Sequence, residues 1–111
     1  MSGFSISKYK ERRNNMPAQT RVGDNCTGHD DCPSVPLVEG SSNVFINGQR
    51  AGRVGDHYQS HSCEVHPAHQ DYISQGSSTV FINGIPAGRI GDPVVLGGSV
   101  LQGSPNVFVG G

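Results

Sequence analysis

The thirteen residues from His57 to His69 read HYQSHSCEVHPAH. They hold four of the chain's five histidines and one of its three cysteines. Imidazole nitrogen and thiolate sulfur are the usual protein ligands of zinc and neighbouring transition metals. A single histidine is more often solvated or hydrogen-bonded than ligating. Four beside a thiol in so short a stretch point to an ion. Pro67 and the polar residues around it oppose a regular helix, so the stretch reads as a loop. His57 and His61 would share a face only on a helical turn, which that reading disfavours.

The ligands are placed by what repeats on either side. TRVGD (20–24), GRVGD (52–56) and GRIGD (88–92) are three copies of one step. GSSNVFING (40–48), GSSTVFING (76–84) and GSPNVFVGG (103–111) are three copies of another. A fixed repeat means one supersecondary unit used three times, here with pseudo-threefold symmetry from a single chain. In this register the fifth residue after each Asp is His29, His61 and Gly97. The seventh residue before each glycine that opens the second step is Pro33, His69 and Leu96. Equivalent positions converge near a threefold axis, so His29, His61 and His69 are the expected ligands of one ion. A closed zinc site wants a fourth. Cys63 is the leading candidate, and His66 in the same loop is the alternative. Cys26 and Cys32 flank His29 and could ligate, pair on oxidation, or serve as small buried residues.

Each unit reads as β structure. In NVFING, Val44 and Ile46 face one side of a strand and Phe45 the other. Asn47-Gly48 and Asn83-Gly84 predict type I′ hairpin turns. The third copy stops at Gly111 without a return strand, which predicts an open strand edge at the C-terminus. The Arg and Asp of each Arg-x-Gly-Asp could pair locally, or be solvated turn charges worth about 0–1 kcal/mol.

At 111 residues and 33% hydrophobic content, with no Trp, the chain can build only a thin core. Domains of that kind rely on staples such as metals, disulfides or partners. Sixteen glycines and seven prolines favour tight turns over long helices. A formal charge of −1 gives no nucleic-acid signal. No apolar run approaches membrane-spanning length. Residues 1–16 are polar, locally basic and without an apolar h-region, so they read as a flexible tail and the origin as cytoplasmic. In a reducing compartment, thiols near histidines point to metal more than to a bridge. Known catalytic signatures are missing: no H-E-x-x-H, deaminase P-C-x-x-C, G-x-S-x-G or P-loop occurs. The expectation is therefore not an enzyme. The competing classes are a small zinc hydrolase, which needs an open coordination position, and a metal-buffering protein.

Pro86-Ala87-Gly88-Arg89, the looser Gln49-Arg50-Ala51-Gly52-Arg53 and the repeated GSxxVFING and R-x-G-D steps resemble the PAAR-repeat family, over residues 17–111. The resemblance implies a mostly β, small conical fold of three pseudo-threefold hairpin-like repeats with a metal near its apex. It implies a structural tip that caps a trimeric β-helical spike (a tail spike or VgrG-like), one tip per trimer. Such tips are made in the bacterial cytoplasm and assembled into phage tails or type VI secretion spikes. They meet a target membrane transiently, and no nucleic acid or small-molecule substrate is implied. Family sites hold one zinc or iron by three His and one Cys, the Cys just before Gly-Gly in the third repeat. Here that place is Leu96-Gly97-Gly98, so the resemblance transfers to His29, His61 and His69, with Cys63 or His66 as local replacement.

Overall fold

The computed structural model describes residues 16–30, 32–63 and 67–111. The expected tail, apart from Met16, lies outside the described residues. No helix occurs among the described residues, and accordingly none is long and apolar enough to cross a membrane. Two short hairpins carry the regular structure: β1 (Phe45–Ile46) with β2 (Gln49–Arg50), and β3 (Phe81–Ile82) with β4 (Ile85–Pro86). Their turns are Asn47-Gly48 and Asn83-Gly84, with φ of 55° and 81°, and 56° and 77°. Positive φ at both central residues is what a type I′ turn requires, and Asn and Gly supply it with least strain.

The third hairpin is assembled from the two ends of the described chain. Ala18 bridges Phe108 in the register that Arg50 holds with Phe45 and Pro86 with Phe81. Gln19 donates its backbone N–H to Val107 at 3.0 Å, and Val109 donates to Pro17 at 2.8 Å. The expectation of an open C-terminal edge is thus corrected. The return strand exists, but it precedes the first repeat in sequence. Reading the repeats linearly hid a closure that is circular.

Inward of the hairpins, the pairings run in cycles. Arg21 bridges Ala51, Arg53 bridges Ala87, and Arg89 bridges Gln19. Gly52 donates to Thr20 at 2.9 Å, Gly88 to Gly52 at 2.9 Å, and Thr20 to Gly88 at 3.0 Å. Three backbone bonds thereby close a ring around one axis. Space there is short. A Cβ on Gly52 would stand 2.7 Å from both Leu37 Cδ2 and Thr20 Cγ2. The first repeat has Thr20 at this level and fills the axis once for all three. Beside it, the buried Gln19 amide donates to the Thr20 and Gly52 carbonyls at 2.7 and 2.9 Å. Ala51 and Ala87 occupy the places equivalent to Gln19.

The core follows the same rule. Cys26 bridges Val100, Tyr58 bridges Leu37, and Val94 bridges Ile73. These six side chains and Val35 form one buried cluster. A second cluster of Ala51, Ile82, Ala87 and Val109 lies under the hairpins. Each Arg-x-Gly-Asp step closes on itself. Asp24, Asp56 and Asp92 are buried, and each accepts from the backbone N–H and the guanidinium of its own arginine at 2.7–3.1 Å. These are bidentate, charge-assisted bonds at turns, not loosely solvated charges. The side-chain bond to Asp24 holds the Arg21 guanidinium above its ordinary range, and Asp56 does the same for Arg53.

Candidate metal centre

In each repeat the chain leaves the axis ring, crosses the core, loops outward and returns through the core to a hairpin. The loops therefore gather at the end away from the hairpins. The first loop is closed by a His29–Cys32 bridge and the second by a His61–His69 bridge. In the second, the backbone bonds run both ways, His61 to His69 at 3.0 Å and His69 to His61 at 2.9 Å. The third loop turns at Leu96-Gly97-Gly98, all at positive φ. Leu96 is 63% exposed and offers no ligand atom. A Cβ on Gly97 would stand 3.1 Å from His29 Cβ, so the third repeat supports His29 with bare backbone.

His29, His61 and His69 do converge. His61 Nε2 lies 2.9 Å from His69 Nε2, and His29 Nε2 lies 3.2 Å from His69 Nε2. The ring centroids are 4.5–5.3 Å apart. The opposite ring nitrogens fix the tautomers. His61 Nδ1 is 2.9 Å from the Pro33 carbonyl, and His69 Nδ1 is 2.8 Å from the Pro67 carbonyl. A carbonyl only accepts, so in each ring Nδ1 carries a proton, and in the neutral form Nε2 presents a lone pair. Two lone pairs 2.9 Å apart repel unless a cation stands between them. Backbone carbonyls that orient ligating imidazoles in this way are a common feature of metal sites. The donor set fits a metal ion.

The Sγ of Cys32 belongs to the same group. One ligand atom each from His29, Cys32, His61 and His69 lies within 4.8 Å of every other, a cluster that could hold a metal ion. Cys32 is also joined to Cys63 by a disulfide. In this form neither sulfur is a thiolate, and Cys63, the expected fourth ligand, is spoken for. Cys26 is a buried free thiol within the core. His66 lies outside the described residues. His57 stands elsewhere, with Nδ1 2.7 Å from Glu39 Oε1 and its ring edge-on to Tyr72. The His57 side chain, hydrogen-bonded to Glu39, holds that carboxyl below its ordinary range.

One neighbour escaped the search for ligands by sequence. Asp71 is buried, and its carboxylate approaches the Nε2 atoms of all three histidines at 3.0–3.3 Å. The signal was in the repeat register. Five residues before the opening glycine of each hairpin stand Val35, Asp71 and Gly98. A carboxylate in a place that the other repeats give to a valine and a glycine is a break in the repeat symmetry.

Residues 58–101, from the core tyrosine of the second repeat through the third loop, match the family model described as the PAAR motif. No curated protein matches the chain. Those residues are similar to the PAAR motif, and the repeats and histidine-bearing loops of the chain are consistent with that likeness.

Proposed function

We propose that the protein is the structural tip of a contractile injection spike. The hairpin end docks on a trimeric β-helical spike, one tip per trimer, and the loop end forms the apex of a cone. One zinc or iron held by His29, His61 and His69 hardens that apex, where the chain has the least core to hold it. The role is mechanical, with no chemical step. The protein would be made in the bacterial cytoplasm and carried outward in a phage tail or type VI secretion spike, touching the target membrane at the apex.

The observation that carries this reading is the cyclic hairpin end. Three equivalent hairpins closed around one axis give a single chain a surface that can match three identical partners. Phe45 and Phe81 occupy equivalent places there, each 55% exposed, an apolar presentation suited to a partner. With the C-terminal edge covered by Ala18, docking rests on the hairpins and not on an unpaired terminal strand.

Native mass spectrometry of the full chain mixed with a trimeric β-helical spike tests the proposal. One chain per three spike subunits is the expected mass. A three-to-three complex would overturn the symmetry argument, and no complex at all would overturn the spike-tip reading. The double change Phe45→Asp and Phe81→Asp should abolish the complex and leave the fold intact.

A further inference from the structure

We infer that Asp71 is the fourth ligand of the ion, which makes the centre a three-histidine, one-carboxylate site independent of any cysteine. The inference rests on the metal reading above and goes beyond it in naming the donor that completes the shell. Asp71 Oδ2 is 3.0 Å from His29 Nε2 and 3.3 Å from His61 Nε2, and Oδ1 is 3.3 Å from His69 Nε2. Add the two imidazole pairs at 2.9 and 3.2 Å, and five of the six edges between four donor groups span 2.9–3.3 Å. Four donors at zinc–nitrogen and zinc–oxygen bond lengths, placed tetrahedrally, stand about 3.3 Å apart. Those five distances lie near that figure, with the carboxylate reaching His29 and His61 through Oδ2 and His69 through Oδ1.

Charge argues the same way. The Asp71 side chain is 1% exposed. In their neutral form the Nε2 atoms of His61 and His69 that face it carry lone pairs, because both Nδ1 protons go to carbonyls. A buried carboxylate aimed at those lone pairs is repelled twice over unless a metal ion joins them or a proton is taken up. Cys32 meets no such conflict, since its sulfur is satisfied by Cys63. An imidazole and carboxylate shell suits zinc or ferrous iron and, unlike a thiolate shell, survives oxidation of the cysteines.

The test uses the full chain, stripped with a chelator and reloaded with zinc or with cobalt(II). X-ray absorption of the zinc form should show only nitrogen and oxygen neighbours near 2.0–2.1 Å; sulfur near 2.3 Å would overturn the inference in favour of Cys32. Asp71→Asn preserves shape, and its zinc affinity in chelator competition should fall by more than about tenfold, the least that even an outer partner is worth. Unchanged affinity would overturn the inference. Since a merely supporting carboxylate could also lower affinity, a gain of signal decides. Asp71→Cys in a Cys32→Ser, Cys63→Ser background should give cobalt(II) a thiolate charge-transfer band, and a folded variant that binds cobalt without it would refute direct ligation. Failure of the metal reading itself looks different. The unaltered chain would then take up no ion, or His61→Ala would bind as well as the unaltered chain.

Discussion

The two ends of this molecule treat one repeat in opposite ways. At the hairpin end the main contacts made by one repeat recur in the others. Ser41 reaches Asn83 Oδ1, Ser104 reaches Asn47 Oδ1, and Ser77 reaches the Gly110 carbonyl, each at 2.6 Å. At the loop end the symmetry is gone. The first repeat brings His29, the second brings His61, His69 and Asp71, and the third brings only the glycine backbone that backs His29. The difference follows from what each end must face. On the proposed function, a threefold partner would demand three equal sites, whereas one ion would need four converging donors, a number that three equal repeats do not divide.

The largest effect should come from breaking the loop end. Structural zinc contributes apparent binding energies of order 10 kcal/mol in small domains, comparable with a whole domain's stability. His61→Ala is therefore expected to lose the ion and to lower the melting temperature by tens of degrees. Hydrogen exchange sharpens the comparison. The His61 and His69 amides should lose protection first, while those of Ala51 and Ala87, under the hairpins, persist. Equal loosening of both ends, or full metal occupancy with an unchanged melt, would erase the distinction.

The next effect lies on the axis. Gly52→Ala drives a methyl against two fully buried side chains, Leu37 and Thr20, at 2.7 Å each. Overpacking of that kind costs about 1–3 kcal/mol. Gly88→Ala meets Ile73 Cδ1 at 2.9 Å and Thr20 Cγ2 at 3.2 Å and should cost less. Urea unfolding of both variants checks the order. Equal and negligible losses would mean that the axis is looser than these distances imply.

Much of the hairpin end was legible because turn chemistry is local. Asn-Gly fixes a type I′ turn wherever it stands, and a threefold repeat of GSxxVF announces its own equivalences. The histidines were legible for the same reason, since His29, His61 and His69 are related by counting. Closure of the third hairpin was not legible, because Ala18 and Phe108 are brought together only by the ring. The register did carry Asp71, but a search for soft ligands passes over a lone carboxylate. The link between Cys32 and Cys63 was missed because Cys32 sits in the first loop and Cys63 in the second. Only the fold sets those loops side by side.

A smaller effect than the axis substitutions at their upper limit tests the sameness of the turns. Asp56→Asn weakens the acceptor of one backbone and two guanidinium bonds, all at 2.8–3.1 Å. Hydrogen bonds to charged groups contribute about 1.5–3 kcal/mol each before the remaining amide oxygen recovers part, so a net loss near the lower figure is expected. Asp24→Asn and Asp92→Asn should cost the same. If one of the three turns proved much more sensitive than the others, the equivalence of the repeats at this level would fail.

The smallest effect lies at Glu39, where the repeats differ in charge but not in shape. Glu39 Oε1 accepts the His57 backbone N–H at 3.0 Å, as Gln102 Oε1 accepts that of Asn25 at 2.8 Å. Glu39→Gln should therefore keep the backbone bond and lose only the charged contact with His57 Nδ1. Both side chains are well exposed, so the loss should stay under about 1 kcal/mol and shrink in salt. The sign with pH follows from the lowered Glu39 carboxyl, depressed chiefly by the His57 side chain. A depressed acid contributes its stability above its unfolded value of 4.5 and loses it as pH falls through the lower folded value. Urea midpoints of Glu39→Gln and the unaltered chain should differ slightly at pH 6 and merge as both are taken well below pH 4.5. A gap that widened in acid would reverse the sign and remove His57 as the cause. A gap that vanished at every pH would mean that glutamate here does only what Gln102 does, and the repeats would be equivalent at this position too.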